Sequence, residues 1–357
     1  MPSTTMITGG AGFLGCALAE ALARTGDRVV VLDILHPQVH AGRGRPKRLA
    51  DSAELLPLDI TSSVNWDAVL KLVQPDTVVH LAAETGTGQS LQEATRHATV
   101  NVVGTAQMLD AFLRHDSTPG HILLASSRAV YGEGLWRTED GRVFSPGPRR
   151  HADLMASKWD PGDFPTGMVS PVPNRMDTTP ARPTSVYGAT KAAQEMVCSA
   201  WAAATDTPLS ILRLQNVYGP GQSLTNAYTG IVAMFSRTAK QGETIDVYED
   251  GNITRDFVHV DDVISAMAAA LGPPVPGERV LDIGSGESTT IATLAKLVAS
   301  HYDAPEPLVS GHFRDGDVRA AFADIGPAKE QLGYRPIWSL LEGLDSLFSW
   351  IDEELRQ

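Results

Sequence analysis

Residues Thr8 to Gly15 read TGGAGFLG and follow directly on the short apolar run Met6-Ile7. No other stretch limits the fold so strongly. Glycines stand at 9, 12 and 15, and the pattern G-x-G-x-x-G also fits through 10, 12 and 15. A turn this tight, with backbone passing close to a pyrophosphate, requires residues without a Cβ. The helix expected from Phe13 and Leu14 would aim its first amides and its positive dipole end at that phosphate. A Gly-rich turn can also simply join a strand to a helix, so its context decides. Here the next strand-like run, Arg28 to Asp33 (RVVVLD), ends in an acid. A carboxylate at that tip accepts both hydroxyls of an adenosine ribose and repels a 2′-phosphate, which favours NAD over NADP. Arg43, Arg45 and Arg48 lie nearby and keep NADP open.

Further apolar runs follow at Thr77 to Leu81, His121 to Ala125 and Leu209 to Leu214. Helical patterns lie between them at about 13–24, 63–73, 97–115 and 184–205. Continuous Val/Ile/Leu strands alternating with helices imply a parallel sheet covered on both faces. Right-handed crossovers make this a doubly wound, Rossmann-like α/β domain. Residues 133–183 break the rhythm with Pro, Gly, Arg and Asp, and read as either a functional lid or a peripheral excursion. Beyond residue 216 the chain is mixed, with strand-like Thr244 to Tyr248 and Arg255 to Val260 and helices near 262–271, 289–300 and 338–355. The expected division is a nucleotide domain over 1–215, to which 255–272 returns, and a smaller mixed α/β substrate domain over 216–357.

Composition excludes several classes. A net charge of −13 argues against a nucleic-acid surface. The basic group Arg43, Arg45, Lys47 and Arg48 sits among Gly and Pro and reads as a solvated loop. No apolar run reaches the roughly 18 residues of a membrane helix. The N-terminus lacks a basic region before its first apolar stretch, unlike a signal peptide. Cys16 and Cys198 read as buried thiols, and a cytoplasmic protein is expected. The ten histidines show no metal-ligand spacing, so no metal is expected, and His80 reads as structural.

Tyr187 and Lys191 stand four residues apart in YGATK, on one face of a helix. A phenol titrates near ~10 in water. A neighbouring ammonium and a positive nicotinamide both favour tyrosinate, making the phenol a base nearer neutral pH.

With these motifs the chain resembles the extended short-chain dehydrogenase/reductases, in particular the NAD-dependent nucleotide-sugar epimerase/dehydratase family. TGGAGFLG, HLAA at 80–83, Asn101 to Thr105, ASSRAVYG at 125–132, YGATK, RLQNVYGPG at 213–221 and RDFVHVDDV at 255–263 carry the resemblance across nearly the whole chain. ASSRAVYGEG with RLQNVYGPGQS looks most like 4-epimerases of dTDP-6-deoxyhexoses such as dTDP-L-rhamnose. Some relatives in that subgroup carry a cysteine-rich knuckle within the region of 133–183, which has no Cys here.

The resemblance implies further roles. Asp59 and Ile60 would hold adenine, and Leu81, Ala82 and Ala83 would line the cofactor. Ser127 would join Tyr187 and Lys191 as the third catalytic group; Ser126 is the neighbour with which it is confused. Glu84, Arg128, Asn216, Arg255 and Arg314 would face the substrate, Arg255 and Arg314 at its phosphates, although a surface ion pair also suits Arg314. The expected substrate is a nucleotide-diphosphate sugar, with dTDP favoured and UDP or GDP open. The expected reaction is epimerisation, at C4, by transient oxidation and re-reduction. A dehydratase or decarboxylase, a dissociating NAD(P)H reductase and a non-enzymatic NAD-binding protein remain as alternatives. In the 4,6-dehydratases an Asp-Glu pair follows the catalytic hydroxyl residue; here Arg128 and Ala129 stand there. The family also implies a homodimer built through a four-helix bundle.

Overall fold

The computed structural model describes residues 3–40, 44–162, 164–165, 168–224 and 230–356. Arg43 lies outside them. Seven strands form one parallel sheet: β1 Thr4–Thr8, β2 Arg28–Asp33, β3 Glu54–Pro57, β4 Thr77–His80, β5 His121–Ser127, β6 Leu209–Leu214 and β7 Glu278–Ile283. Their order is β7-β6-β5-β4-β1-β2-β3. The strand order reverses at β1, so a crevice opens beyond its carboxyl end.

The two-residue period of a strand sorts the side chains. Met6, Val30, Leu32, Val78, Ile122 and Leu124 face one way and pack on Trp66, Met108, Phe112, Cys198 and Ala202. These come from helices α2 Ser63–Leu70, α3 Gly104–Arg114 and α4 Val186–Thr205. Ile7, Val29, Val31, Val79, Leu123 and Leu212 face the other way, against α1 Phe13–Ala23 and the later helix Val260–Ala270. Both cysteines are free and buried. Among the described residues no helix is long and apolar enough to cross a membrane.

Three departures from expectation bear on the site. The expected helix over 97–115 is broken: Ala94–Ala98 leads through a π turn, Thr99–Val103, into α3. The wider turn buries Asn101. The expected division at 215/216 cuts the sheet, because β7 lies beyond it and pairs in parallel with β6. Strand-like Thr244 to Tyr248 contracts to Asp246–Val247, and Arg255 to Val260 becomes two short strands, Thr254–Arg255 and Phe257–His259, in separate small sheets.

The second core gathers Phe235, Leu294, Val298, Leu347 and Phe348. The segment 133–183 builds an antiparallel three-stranded sheet from Leu135–Thr138, Val143–Phe144 and Val169–Val172. Buried ion pairs fasten this segment to the rest of the chain. Arg149 meets Glu133 Oε1 at 3.1 Å and Glu249 Oε1 at 2.8 Å, and Arg319 meets Glu249, Asp250 and Asp160.

Candidate active site

The Gly-rich turn is built for close approach. Gly9 has φ +67°, and a Cβ there would fall 2.7 Å from the backbone of Ala82. A Cβ on Gly15 would fall 2.3 Å from Gly10 Cα, so only glycine lets α1 start this near the turn. Gly12 caps α1 without a side-chain hydrogen bond, which leaves the first-turn amides to a ligand. Asp33 Oδ2 accepts from Ala11 N at 3.0 Å and Oδ1 from Leu35 N at 2.8 Å, fixing the carboxylate at the tip of β2.

These residues line a cleft of about 1000 Å3, together with Phe13, Leu14, Asp59, Ile60, Leu81, Ala82 and Ala83. Trp66 Nε1 donates to Ile60 O at 2.8 Å, so the buried indole holds the Asp59-Ile60 corner. Arg45, Lys47 and Arg48 are exposed, as a loop should be, yet they line this cleft too. Arg48 packs against Gly221 and lies 5.7 Å from the Trp350 ring centre, spanning from the β2 side to the second core.

Ser127 ends β5, and Tyr187 opens α4, where Ser185 Oγ caps the helix through Gly188 N at 3.1 Å. Both residues line the cleft. Burial pushes the Tyr187 phenol up, while a hydrogen bond from Ser127 and the nearby Arg128 guanidinium pull it down. Lys191 is buried, and that burial lowers its ammonium to about 8 against the opposing pull of Glu195. Ser126 turns the other way and bonds Glu195, which forms a buried pair with Arg213 at 2.7 Å. The cleft therefore sees the Ser127 hydroxyl and not that of Ser126.

Next to Ser127, Arg128 Nε donates to Asn216 Oδ1 at 2.8 Å, and both residues line the cleft. Glu84 lines it as well, with its carboxylate 2.8 Å from Arg96. Arg255 does not line it. It is buried, and desolvation, then repulsion from Arg128, lowers its guanidinium to about 9. Arg314 is exposed and sits 5.0 Å over the Tyr248 ring, outside the cleft lining.

The sequence profile of the NAD dependent epimerase/dehydratase family matches residues 5–150 and 164–284. The chain belongs to this family. A dTDP-L-rhamnose 4-epimerase of Burkholderia thailandensis is 56% identical over 350 residues, 98% of this chain and 95% of its own. A UDP-glucose 4-epimerase of Mycolicibacterium smegmatis is 30% identical, covering 95% of this chain and 96% of its own. Among solved structures, a UDP-glucose 4-epimerase of Thermotoga maritima with UDP-glucose superposes with TM-score 0.79 at 29% identity, covering 99% of each chain. A UDP-glucose 4-epimerase of Thermus thermophilus with NAD gives 0.78 at 25%, covering 98% of this chain and 99% of its own.

The cofactor of this epimerase/dehydratase chain is NAD, and the cradle fits it: glycines where a Cβ would clash, open helix amides, and an acid at the β2 tip. Sequence reasoning missed several groups around that cradle. Asn101 Oδ1 accepts from Glu84 N at 2.7 Å, and its Nδ2 donates to Thr190 Oγ1 at 2.9 Å, joining the cleft wall to α4. Gln215 lines the cleft with both amide atoms buried and unpartnered among the described residues. Only the RLQNVYGPG motif pointed near it.

Proposed function

We propose that this protein is a nucleotide-sugar 4-epimerase whose substrate is dTDP-L-rhamnose or its C4 epimer, with Ser127, Tyr187 and Lys191 as the catalytic groups. The observation that carries the choice over a dehydratase is the pair that follows Ser127. Loss of water needs an acid and a base at C5 and C6. Arg128 and Ala129 supply neither, since a guanidinium stays protonated and a methyl group has no proton to move. Two acids that could reach this position are already paired: Glu84 with Arg96, and Glu133 with Arg149 and the Arg319 amide. A third, Asp317, lies beside the Arg128 guanidinium, which it stabilises in the charged form.

Tyr187 takes the proton of the sugar C4 hydroxyl and later returns it. The buried Lys191 ammonium lowers the energy of the tyrosinate that does so. Ser127 donates to the sugar oxygen and holds it against Tyr187. A general base so placed supplies roughly 10²–10⁴ in rate. NAD held in the glycine and Asp33 cradle would supply the hydride acceptor and donor that oxidation and re-reduction at C4 need, so no external reductant would be consumed. Arg128 and Asn216 hold the diphosphate side of the substrate, with the Arg255 charge behind them. Arg314 joins only by leaving Tyr248. Anchoring the nucleotide while the sugar turns is remote binding energy put to use at the reacting carbon.

We place the enzyme in the cytoplasm, in keeping with its two free buried thiols. Its homodimer would form through the outer face of α4, where Ala189, Met196, Ala200 and Ala203 are exposed in helical register, beside exposed Val103 and Leu113. NMR of reactions with dTDP-, UDP- and GDP-sugars tests the substrate. Turnover of dTDP-L-rhamnose is expected; turnover confined to UDP- or GDP-sugars rejects it.

A further inference from the structure

A buried polar chain runs from the catalytic lysine to the cofactor turn, and four elements contribute to it. Lys191 Nζ donates to Gln194 Oε1 within α4. Gln194 Nε2 lies 3.0 Å from His80 Nε2 at the end of β4 and donates to Thr105 Oγ1 on α3 at 2.8 Å. His80 Nδ1 lies 2.6 Å from Thr8 Oγ1 at the end of β1, and Thr8 Oγ1 accepts the Ala82 amide beside Gly9. His80, Thr105 and Gln194 are each fully buried.

The directions of these bonds are linked. An ammonium cannot accept a proton, so Gln194 must turn its carbonyl to Lys191 and its NH2 to His80 and Thr105. His80 Nε2, which also lies 2.9 Å from Thr105 Oγ1, accepts from that NH2 when it is the bare nitrogen and the proton sits on Nδ1 facing Thr8. Flipping the amide would put N–H groups against the Lys191 ammonium, an arrangement that suits only a neutral amine. His80 itself stays neutral, because burial holds its pKa at about 3. The titratable groups facing Lys191 are Glu195 and Cys198 on its own helix and the neutral His80 at the end of β4. Burial pushes the Cys198 thiol up to about 12, so it is uncharged, and Glu195 is already paired with Arg213 from β6.

We propose that Gln194, oriented by His80, is the positioning residue that keeps Lys191 protonated and aimed at the catalytic tyrosine. The inference rests on Lys191 being catalytic, as proposed above. Two variants test it through the alkaline limb of the kcat/KM–pH profile and an NMR titration of the Lys191 amine. Gln194→Met keeps the bulk and removes the acceptor. It should move the limb and the amine pKa down by about one pH unit, which is about tenfold in activity on the alkaline side, with KM within about threefold. Gln194→Glu keeps an acceptor and should hold both or move them up. An unchanged limb in Gln194→Met overturns the proposal, whatever happens to kcat. If Gln194→Met does not fold, a downward shift in Gln194→Glu overturns it instead. Lys191→Met separates the two claims: full activity there rejects the catalytic assignment itself, while an inactive Lys191→Met with an unmoved Gln194→Met profile rejects only the positioning role.

Discussion

Arg128 Nε donates to Asn216 Oδ1 at 2.8 Å, joining the residue after Ser127 at the end of β5 to the segment that follows the neighbouring strand β6. The pair presents one guanidinium edge and one amide to the cleft that we propose holds the nucleotide sugar. Arg128→Ala and Asn216→Ala should each raise KM for the nucleotide sugar roughly tenfold, the equivalent of about 1.4 kcal/mol. The double variant should lose less than the sum, because each partner positions the other. Fully additive losses in steady-state kinetics would mean the two act independently.

We propose that Asp33 sets cofactor choice. Its carboxylate is pinned by Ala11 N and Leu35 N, with His40 3.9 Å away. Asp33→Ala should weaken NAD binding about tenfold and relax the rejection of NADP, as read by calorimetry on cofactor-stripped protein. Tighter binding of NADP than NAD by the unaltered protein would contradict the assignment.

The parts legible in the sequence were those with local causes. The Gly-rich turn, RVVVLD with its terminal acid, Leu209 to Leu214 and YGATK each carry their reason within a few residues. What stayed hidden depends on partners far along the chain. The π turn at 99–103 makes sense only once Asn101 meets Glu84 and, 89 residues on, Thr190. β7 follows the Pro-rich stretch 272–276 and lies far from its partner β6, so nothing local marks it as part of the first sheet. Arg149 and Arg319 resemble loop cations in sequence but are buried against Glu133 and Glu249. Arg255 and Arg314 match the family pattern as letters, yet only the fold tells that one lies behind the cleft and the other outside it.

That buried network predicts a stability effect. The side chains of Arg149, Glu133 and Glu249 are at most 3% exposed. Burial already pushes the Glu133 carboxyl up. Arg149→Met leaves Glu133 with the Arg319 amide alone and takes one of two guanidinium partners from Glu249, and should cost about 3–5 kcal/mol in urea unfolding. A loss under 1 kcal/mol would show that the network is not desolvated in solution.

His80 makes stability depend on pH. Its folded pKa, about 3, lies below the ~6.5 of an unfolded chain. The folded state therefore binds fewer protons, and stability is lost as pH falls below about 6.5, by up to about 1.4 kcal/mol per unit from this group. His80→Gln should flatten the slope between pH 6.5 and 5. An identical slope in the variant would assign the effect elsewhere.

The central claim is oxidation and re-reduction at one carbon without loss of water. The direct measurement is NMR of the product formed from dTDP-L-rhamnose and catalytic NAD in heavy water. The account predicts an inverted C4 centre that keeps its original hydrogen, with no deuterium at C5, and no dehydration of dTDP-glucose, which still has a C6 hydroxyl to lose. Accumulation of the 4-keto sugar in place of the epimer, deuterium at C4 or C5, or loss of water from dTDP-glucose would contradict it.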